Sequence, residues 1–188
     1  MFCILLLAQL SVSKLQAKAE GYNSHDRIDD AGEPINFQLT SFENLGDMEV
    51  NGGGILVNKN KVNCVWTNWL FSACTGTNGG AVYIAYTGDA STYNCAISAT
   101  KFLDCQSKTH GGAIYATITQ SNLHSFVVTN SEFTNNVAGK SGGAIYAMVR
   151  DSCTIQHCTF NGNSGGGDGS TLWCRVGWNS KYNLNELV

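Results

Sequence analysis

Proline is almost missing from this 188-residue chain, which carries one, Pro34, against 21 glycines. Charge is scarce as well, since Asp, Glu, Lys and Arg together make up 13% of the residues. No Lys/Arg cluster occurs, which argues against a nucleic-acid partner. No apolar run reaches the roughly 20 residues of a membrane-spanning helix, so no transmembrane segment is expected. There is no Asn-x-Ser/Thr acceptor, so N-glycosylation has no support. No Cys-x2-Cys pair exists, and Cys153-x4-Cys158 lacks a matching second half, which argues against a zinc site; no metal or other cofactor is expected. Much glycine with little proline suits many tight turns between short strands, not a helical bundle or a disordered tail.

The chain opens on an address and a polar stretch. Phe2-Cys3-Ile4-Leu5-Leu6-Leu7-Ala8 followed by Ala17-Lys18-Ala19 reads as a cleavable secretory signal over residues 1–19. Its loss would remove Lys14 and Lys18 and no acid, leaving a more acidic chain than the formal −3 of the whole. Residues 20–34 have no hydrophobic period and read as a polar lead-in or cap, His25-Asp26-Arg27-Ile28-Asp29-Asp30 being a solvated segment.

What the rest of the chain has is repetition. Gly111-Gly112-Ala113-Ile114-Tyr115 recurs as Gly142-Gly143-Ala144-Ile145-Tyr146 and nearly so as Gly79-Gly80-Ala81-Val82-Tyr83, with looser echoes at Gly52 and Gly169. Phe42, Phe71, Phe102, Phe133 and Phe160 follow one another at intervals of 29, 31, 31 and 27 residues. Five and seven positions before each Phe lie Phe37, Trp66, Ile97, Val128 and Ile155, and Ile35, Cys64, Cys95, Phe126 and Cys153, which share a strand face by the period-2 rule. Thr40, Trp69, Thr100, Ser131 and Cys158, two before each Phe, share a face with it, so the odd step between implies a corner at Asn68, Asn130 and His157. Asn136 and Asn163, three after their Phe, fit left-handed turn residues whose amides bond the asparagine of the next coil. Cys74 and Cys105 occupy that slot in two other repeats. The pairs Gly79–Gly80, Gly111–Gly112 and Gly142–Gly143 mark a second corner, where glycine permits a positive φ and a close neighbouring coil.

These periods predict an all-β, right-handed parallel β-helix of about five coils over residues 35–174, with residues 175–188 a C-terminal cap or a truncated coil. In the strand after each glycine pair, Ile114, Ile145 and their equivalents should point inward. Leu56, Tyr83, Tyr115, Tyr146 and Trp173 should point outward. Variation in coil length collects on one edge, at 86–94, 117–124 and 149–152, where solenoids commonly carry recognition.

Tandem GGA[I/L/V] and FxxN motifs, here Gly79–Val82, Gly111–Ile114, Gly142–Ile145, Phe133–Asn136 and Phe160–Asn163, resemble the repeats of the chlamydial polymorphic membrane proteins, autotransporter adhesins. The repeat region spans residues 52–174, and Cys74 and Cys105 depart from the motif's Asn. The resemblance implies a pectin-lyase-like β-helix, displayed at the surface or secreted, with an adhesive role; a glycan or a host or cell-surface protein is the candidate partner, and membership of a longer repeat array is the alternative to a C-terminal cap.

Chemistry is thin. Eight cysteines suit either disulfides or stacked ladder thiols, with Cys74–Cys105 the pair best placed for a bridge. The ladder of Tyr83, Tyr115, Tyr146 and Trp173 suits either sugar faces and a partner's apolar surface, or simple stabilisation of a parallel sheet. The rival function is a carbohydrate-active enzyme, a lyase or glycoside hydrolase, on the same fold. Hydrolysis requires two carboxylates about 5–9.5 Å apart. Asp104 lacks a stacked carboxylate mate, Asp89, Asp151 and Asp168 are scattered, and His110 stands alone as a general base. No catalytic residues are expected.

Overall fold

The computed structural model describes residues 28–29, 41–57, 64–86, 94–119, 125–167, 171–177 and 181–185. The signal segment, the variable-edge residues 87–93 and 120–124, Asp89, Asp168 and Trp178 lie outside the described residues. Every described element is a strand, and every strand pairing is parallel. The protein is an all-β parallel β-solenoid.

Four sheets run up the stack. The tyrosine sheet contains Ile55–Val57, Val82–Tyr86, Ile114–Ile118, Ile145–Val149 and Leu172–Val176, with Ile28–Asp29 beside Ile55–Leu56. The cysteine sheet contains Cys64–Thr67, Asn94–Ser98, Ser125–Thr129, Ser152–Gln156 and Lys181–Asn185. The phenylalanine sheet contains Ser41–Glu43, Leu70–Ser72, Lys101–Leu103, Glu132–Thr134 and Thr159–Asn161. A fourth sheet is built from two-residue strands, Thr75–Gly76, Gln106–Ser107, Val137–Ala138 and Ser164–Gly165. The chain thus passes from tyrosine to cysteine to phenylalanine to short sheet once per coil.

The register follows the sequence periods. Phe42 pairs Phe71, then Phe102, Phe133 and Phe160. Their rings stack in the interior with centroids 4.7 to 5.0 Å apart and planes within 9°. Trp66, Ile97, Val128 and Ile155 form a buried row in the cysteine sheet, as do Ile55, Val82, Ile114 and Ile145 in the tyrosine sheet. Each buried Ile or Phe contributes about 1.5–3 kcal/mol, so neighbour-to-neighbour burial holds the stack without one central core.

The corners are specified by local chemistry. The cysteine-to-phenylalanine corner is left-handed at Asn68, Ala99, Asn130 and His157 (φ 47 to 62°). The next corner differs from expectation by one residue. The positive φ falls on Asn44, Ala73, Asp104, Asn135 and Gly162, each immediately before the residue assigned to the turn. Asn136 and Asn163 are therefore not the left-handed residues; the turn before them rotates their side chains inward, and Asn136 is fully buried.

There the amides replace ladder bonds that the corner interrupts. Asn136 Nδ2 donates to the carbonyl of Phe102 (3.0 Å) and to Asn163 Oδ1 (2.9 Å), while its Oδ1 accepts from the Cys105 amide (3.0 Å). Asn163 repeats the pattern on Phe133 and on the Asn136 amide. The two cysteines in this slot act alike. Cys74 Sγ donates to the carbonyls of Phe42 (3.5 Å) and Ser72 (3.6 Å), and Cys105 Sγ to those of Phe71 (3.9 Å) and Leu103 (3.4 Å). Cys74 and Cys105, like the other described cysteines, are free thiols, and each of these two sulfurs donates to a corner carbonyl of the preceding coil.

At the glycine corner the first glycine of each pair is left-handed (Gly52, Gly79, Gly111, Gly142; φ 61 to 68°). The second lies under the next coil. A Cβ on Gly112 would sit 1.9 Å from the Gly143 carbonyl oxygen. The third residue, Ala81, Ala113 or Ala144, is buried and small, as the stack requires beside the ring ladder. A shorter amide stack, Asn78 Nδ2 donating to Asn51 Oδ1 at 3.0 Å, supports the same corner.

The two flanking segments join the stack. Within the polar lead-in, Ile28–Asp29 adds a short strand to the tyrosine sheet. Past the repeats, Lys181–Asn185 pairs in register with Ser152–Gln156 as the cysteine-sheet strand of a further coil.

Candidate functional site

Among the described residues, the outward face of the tyrosine sheet carries the one continuous aromatic array that the interior does not absorb. Strand alternation sends Val82, Ile114 and Ile145 inward and leaves Tyr83, Tyr115, Tyr146 and Trp173 half-buried on the outer face. Because the strands are in register, the rings stack: Tyr83 on Tyr115 and Tyr115 on Tyr146 at 5.1 Å, and Tyr146 on Trp173 at 4.2 Å, all within 6° of parallel. Leu56 continues the row downward but is covered, at 4% exposure, so the exposed ladder begins at Tyr83.

His110 lies against this ladder. Its ring is 4.7 Å from that of Tyr146 and 6.3 Å from that of Tyr115, tilted by about half a right angle to each. Burial and nearby Lys140 hold its pKa below the usual histidine value, favouring the neutral ring at pH 7. Its ring neighbours are phenols. Of the carboxylates, Asp104 accepts from Asn135 Nδ2 (3.3 Å), and Glu132 pairs with Lys101 (2.9 Å). That exposed ion pair lowers the Glu132 pKa, first through the Lys101 hydrogen bond. Among the described residues no His, Cys, Asp and Glu set is grouped to hold a metal ion.

Beside the ladder, toward the edge of variable coil length, lies an open groove of about 420 Å³ lined by Thr119, Met148, Val149, Arg150, Arg175, Val176 and Gly177. Met148 and Arg175 belong to the outward row next to the tyrosines, paired in register with Thr117 and Ala85. By sequence the ladder and the edge are separate surfaces. The structure brings them together, and the two arginines between them escape a sequence reading because they belong to no repeated motif.

The ladder has an alkaline signature. Burial raises the pKa of Tyr83 and Tyr146, with Arg175 drawing Tyr146 the other way. Tyr115 is raised by burial and by its two tyrosine neighbours, eased by a hydrogen bond from Thr117. For groups raised on folding, the stabilisation is full below the unfolded value, near pH 10 for tyrosine. It is lost as pH climbs through the folded values, because the unfolded chain ionises first. Phenolate absorbance should therefore show a late-titrating fraction that shrinks in the Tyr83→Phe, Tyr115→Phe, Tyr146→Phe triple variant, which keeps the buried Tyr86. The fall of the unfolding midpoint above pH 10 should also be shallower in that variant. Titration of all tyrosines at the free value would mean a fully solvated ladder.

Residues 130–148 match the Chlamydia polymorphic membrane protein repeat. The matched stretch holds one full cycle of the two motifs: Phe133 and Asn136 at the amide corner, then Gly142 to Tyr146 at the glycine corner and the ladder. The chain carries a polymorphic-membrane-protein-like β-helix repeat. No curated protein and no solved structure matches it. In this polymorphic-membrane-protein-like stack each motif residue does mechanical work, with Phe filling the interior, Asn closing the corner and the glycines admitting the next coil. None of the motif residues reaches the outer face except the aromatic that follows GGA[I/V]. Among the described residues no helix is long and apolar enough to cross a membrane.

Proposed function

We propose that this chain is a secreted or cell-surface β-helix module that acts by binding, with the outer face of the tyrosine sheet as its contact surface. The observation that carries the reading is the ladder of four parallel aromatic rings from Tyr83 to Trp173, half-open to solvent and flanked by the groove of Arg150 and Arg175. Rings stacked face to face present a continuous ridge of ring edges and phenol hydroxyls, an amphipathic strip along which a glycan can lie. Two guanidinium groups beside them suit carboxylate or sulfate substituents, which Arg binds in a forked geometry. An acidic glycan at a cell surface is therefore the ligand class we favour. The repeat type, from surface-exposed proteins, supports the same location.

The test is binding of the folded chain to a panel of neutral and acidic polysaccharides, scored together for retention and for new reducing ends or unsaturated products. Retention of acidic polymers without turnover, reduced tenfold or more by Tyr115→Ala with Tyr146→Ala, is the expected result. Turnover would establish the rival carbohydrate-active enzyme, and retention indifferent to the tyrosines would remove the ladder from the binding surface.

A further inference from the structure

Between the last two tyrosine-sheet coils, two sulfurs from different sheets meet across the interior. Cys153 belongs to the inward row of the cysteine sheet and Cys174 to the inward row of the tyrosine sheet, and their Sγ atoms are 3.3 Å apart. By register the same two rows hold Cys64 with Ile84, Cys95 with Ala116 and Phe126 with Ala147 in the coils below. This is the one rung among them at which both rows carry sulfur.

We propose that Cys153 and Cys174 form an intramolecular disulfide that fastens the last glycine-corner coil to the stack, and that this pair, not Cys74–Cys105, is the redox site of the chain. Access separates it from the other thiols. Cys64, Cys74, Cys95 and Cys105 are fully buried, whereas Cys174 is partly exposed. Cys74 and Cys105 also touch through their sulfurs, but both are closed off from solvent and donate to corner carbonyls, so no partner disulfide reaches them. Cys174 ionises more readily than an ordinary thiol because Cys153 hydrogen-bonds to it, while that contact and burial push Cys153 far up. Cys174 is thus the attacking sulfur. Its thiolate displaces one thiolate from a small-molecule disulfide and forms a mixed disulfide; Cys153 then gives up its proton and attacks the Cys174 sulfur, releasing the second thiolate. The protein loses two electrons and two protons, and the small disulfide is reduced to two thiols.

The bridge has a clear place to act. Leu172, Cys174 and Val176 are only half-buried, in contrast to the closed interior below, so the last coil is held by less burial than its predecessors. The loop it closes contains the Thr159–Asn161 strand, the Asn163 corner and the glycine-rich turn after it.

The full chain, reduced and then incubated with oxidised glutathione, should be alkylated and peptide-mapped. The expected outcome is one cross-linked peptide joining Cys153 to Cys174, with a higher unfolding temperature than the reduced form. In Cys174→Ser, whose hydroxyl is close in size to the thiol, the same treatment should yield no such peptide and no temperature shift. A bridge between any other pair, a lasting glutathione adduct on Cys174, or a chain left fully reduced would each overturn the proposal. The wild-type map decides the matter even if the variant fails to fold.

Discussion

Gly112→Val is expected to loosen the stack, lowering stability by about 4 kcal/mol or more. Gly112 sits where the polypeptide of one coil passes against that of the next. An added Cβ would lie 1.9 Å from the Gly143 oxygen and 2.7 Å from the Val137 nitrogen, both backbone atoms that cannot swing aside. Relief would require moving the coils apart, which would break the Gly112 amide bond to the Gly142 carbonyl (3.0 Å) and loosen the ring stack of Phe102 and Phe133 (4.8 Å). A single domain holds only about 5–15 kcal/mol in reserve, so the loss should appear as a large fall in the melting temperature of the far-UV strand signal. Gly167→Ala is a milder comparison: its Cβ would lie 3.2 Å from the Lys140 oxygen, a tight contact relieved by a shift of a few tenths of an ångström. A Gly112→Val chain that melts like wild type would mean that the coils are not stacked at this spacing.

Asn136→Leu should cost about 3–5 kcal/mol while keeping the side chain's branching, because it strands two buried polar partners and weakens a third. The Phe102 carbonyl loses its donor, the Cys105 amide its acceptor, and Asn163 Oδ1 one of its donors. Each group left unpaired in the interior costs about 1–3 kcal/mol. Asn136→Cys is the informative comparison. In this fold Cys74 and Cys105 already hold the slot by donating a thiol proton to the same carbonyl position. Under reductant, denaturant midpoints should therefore rank wild type above Asn136→Cys and that above Asn136→Leu. Equal losses for Cys and Leu would show that the slot requires shape alone.

That hierarchy also explains what is legible in the sequence. The Phe, Ile and Gly rows are set by steric and hydrophobic demands that recur once per coil, so spacing alone places Phe42 through Phe160 and the three glycine pairs in correct register. The amide corner reads one residue off because the left-handed position tolerates Asn, Ala, Asp and Gly alike, and the repeated asparagine draws attention to itself. Its recurrence in successive coils reflects inward hydrogen bonding, not backbone conformation. The two-residue strands such as Gln106–Ser107 are too short to show alternation. Only the small inward side, with Gly76, Ser107 and Ala138, hints at them. The aromatic ladder is visible as a period, but its meeting with Arg150 and Arg175 depends on how the coil turns past Val149. The Cys153–Cys174 contact is invisible for a similar reason, since the two residues occupy different rows and no motif relates them.

The cross-coil hydrogen bonds have a consequence for how such a chain is made. They join residues separated by similar lengths of chain, such as 27 residues between Asn136 and Asn163 and 34 between Asn136 and Phe102. The entropy of bringing partners together is set by the coil and does not grow with the number of coils. Only the first pair of coils must form without a template; each later one closes onto an edge already in place. A polypeptide delivered from one end, as from a ribosome or a narrow export channel, can therefore gain structure in the order it arrives. The step that sets the pace is the founding pair, whichever coils those are.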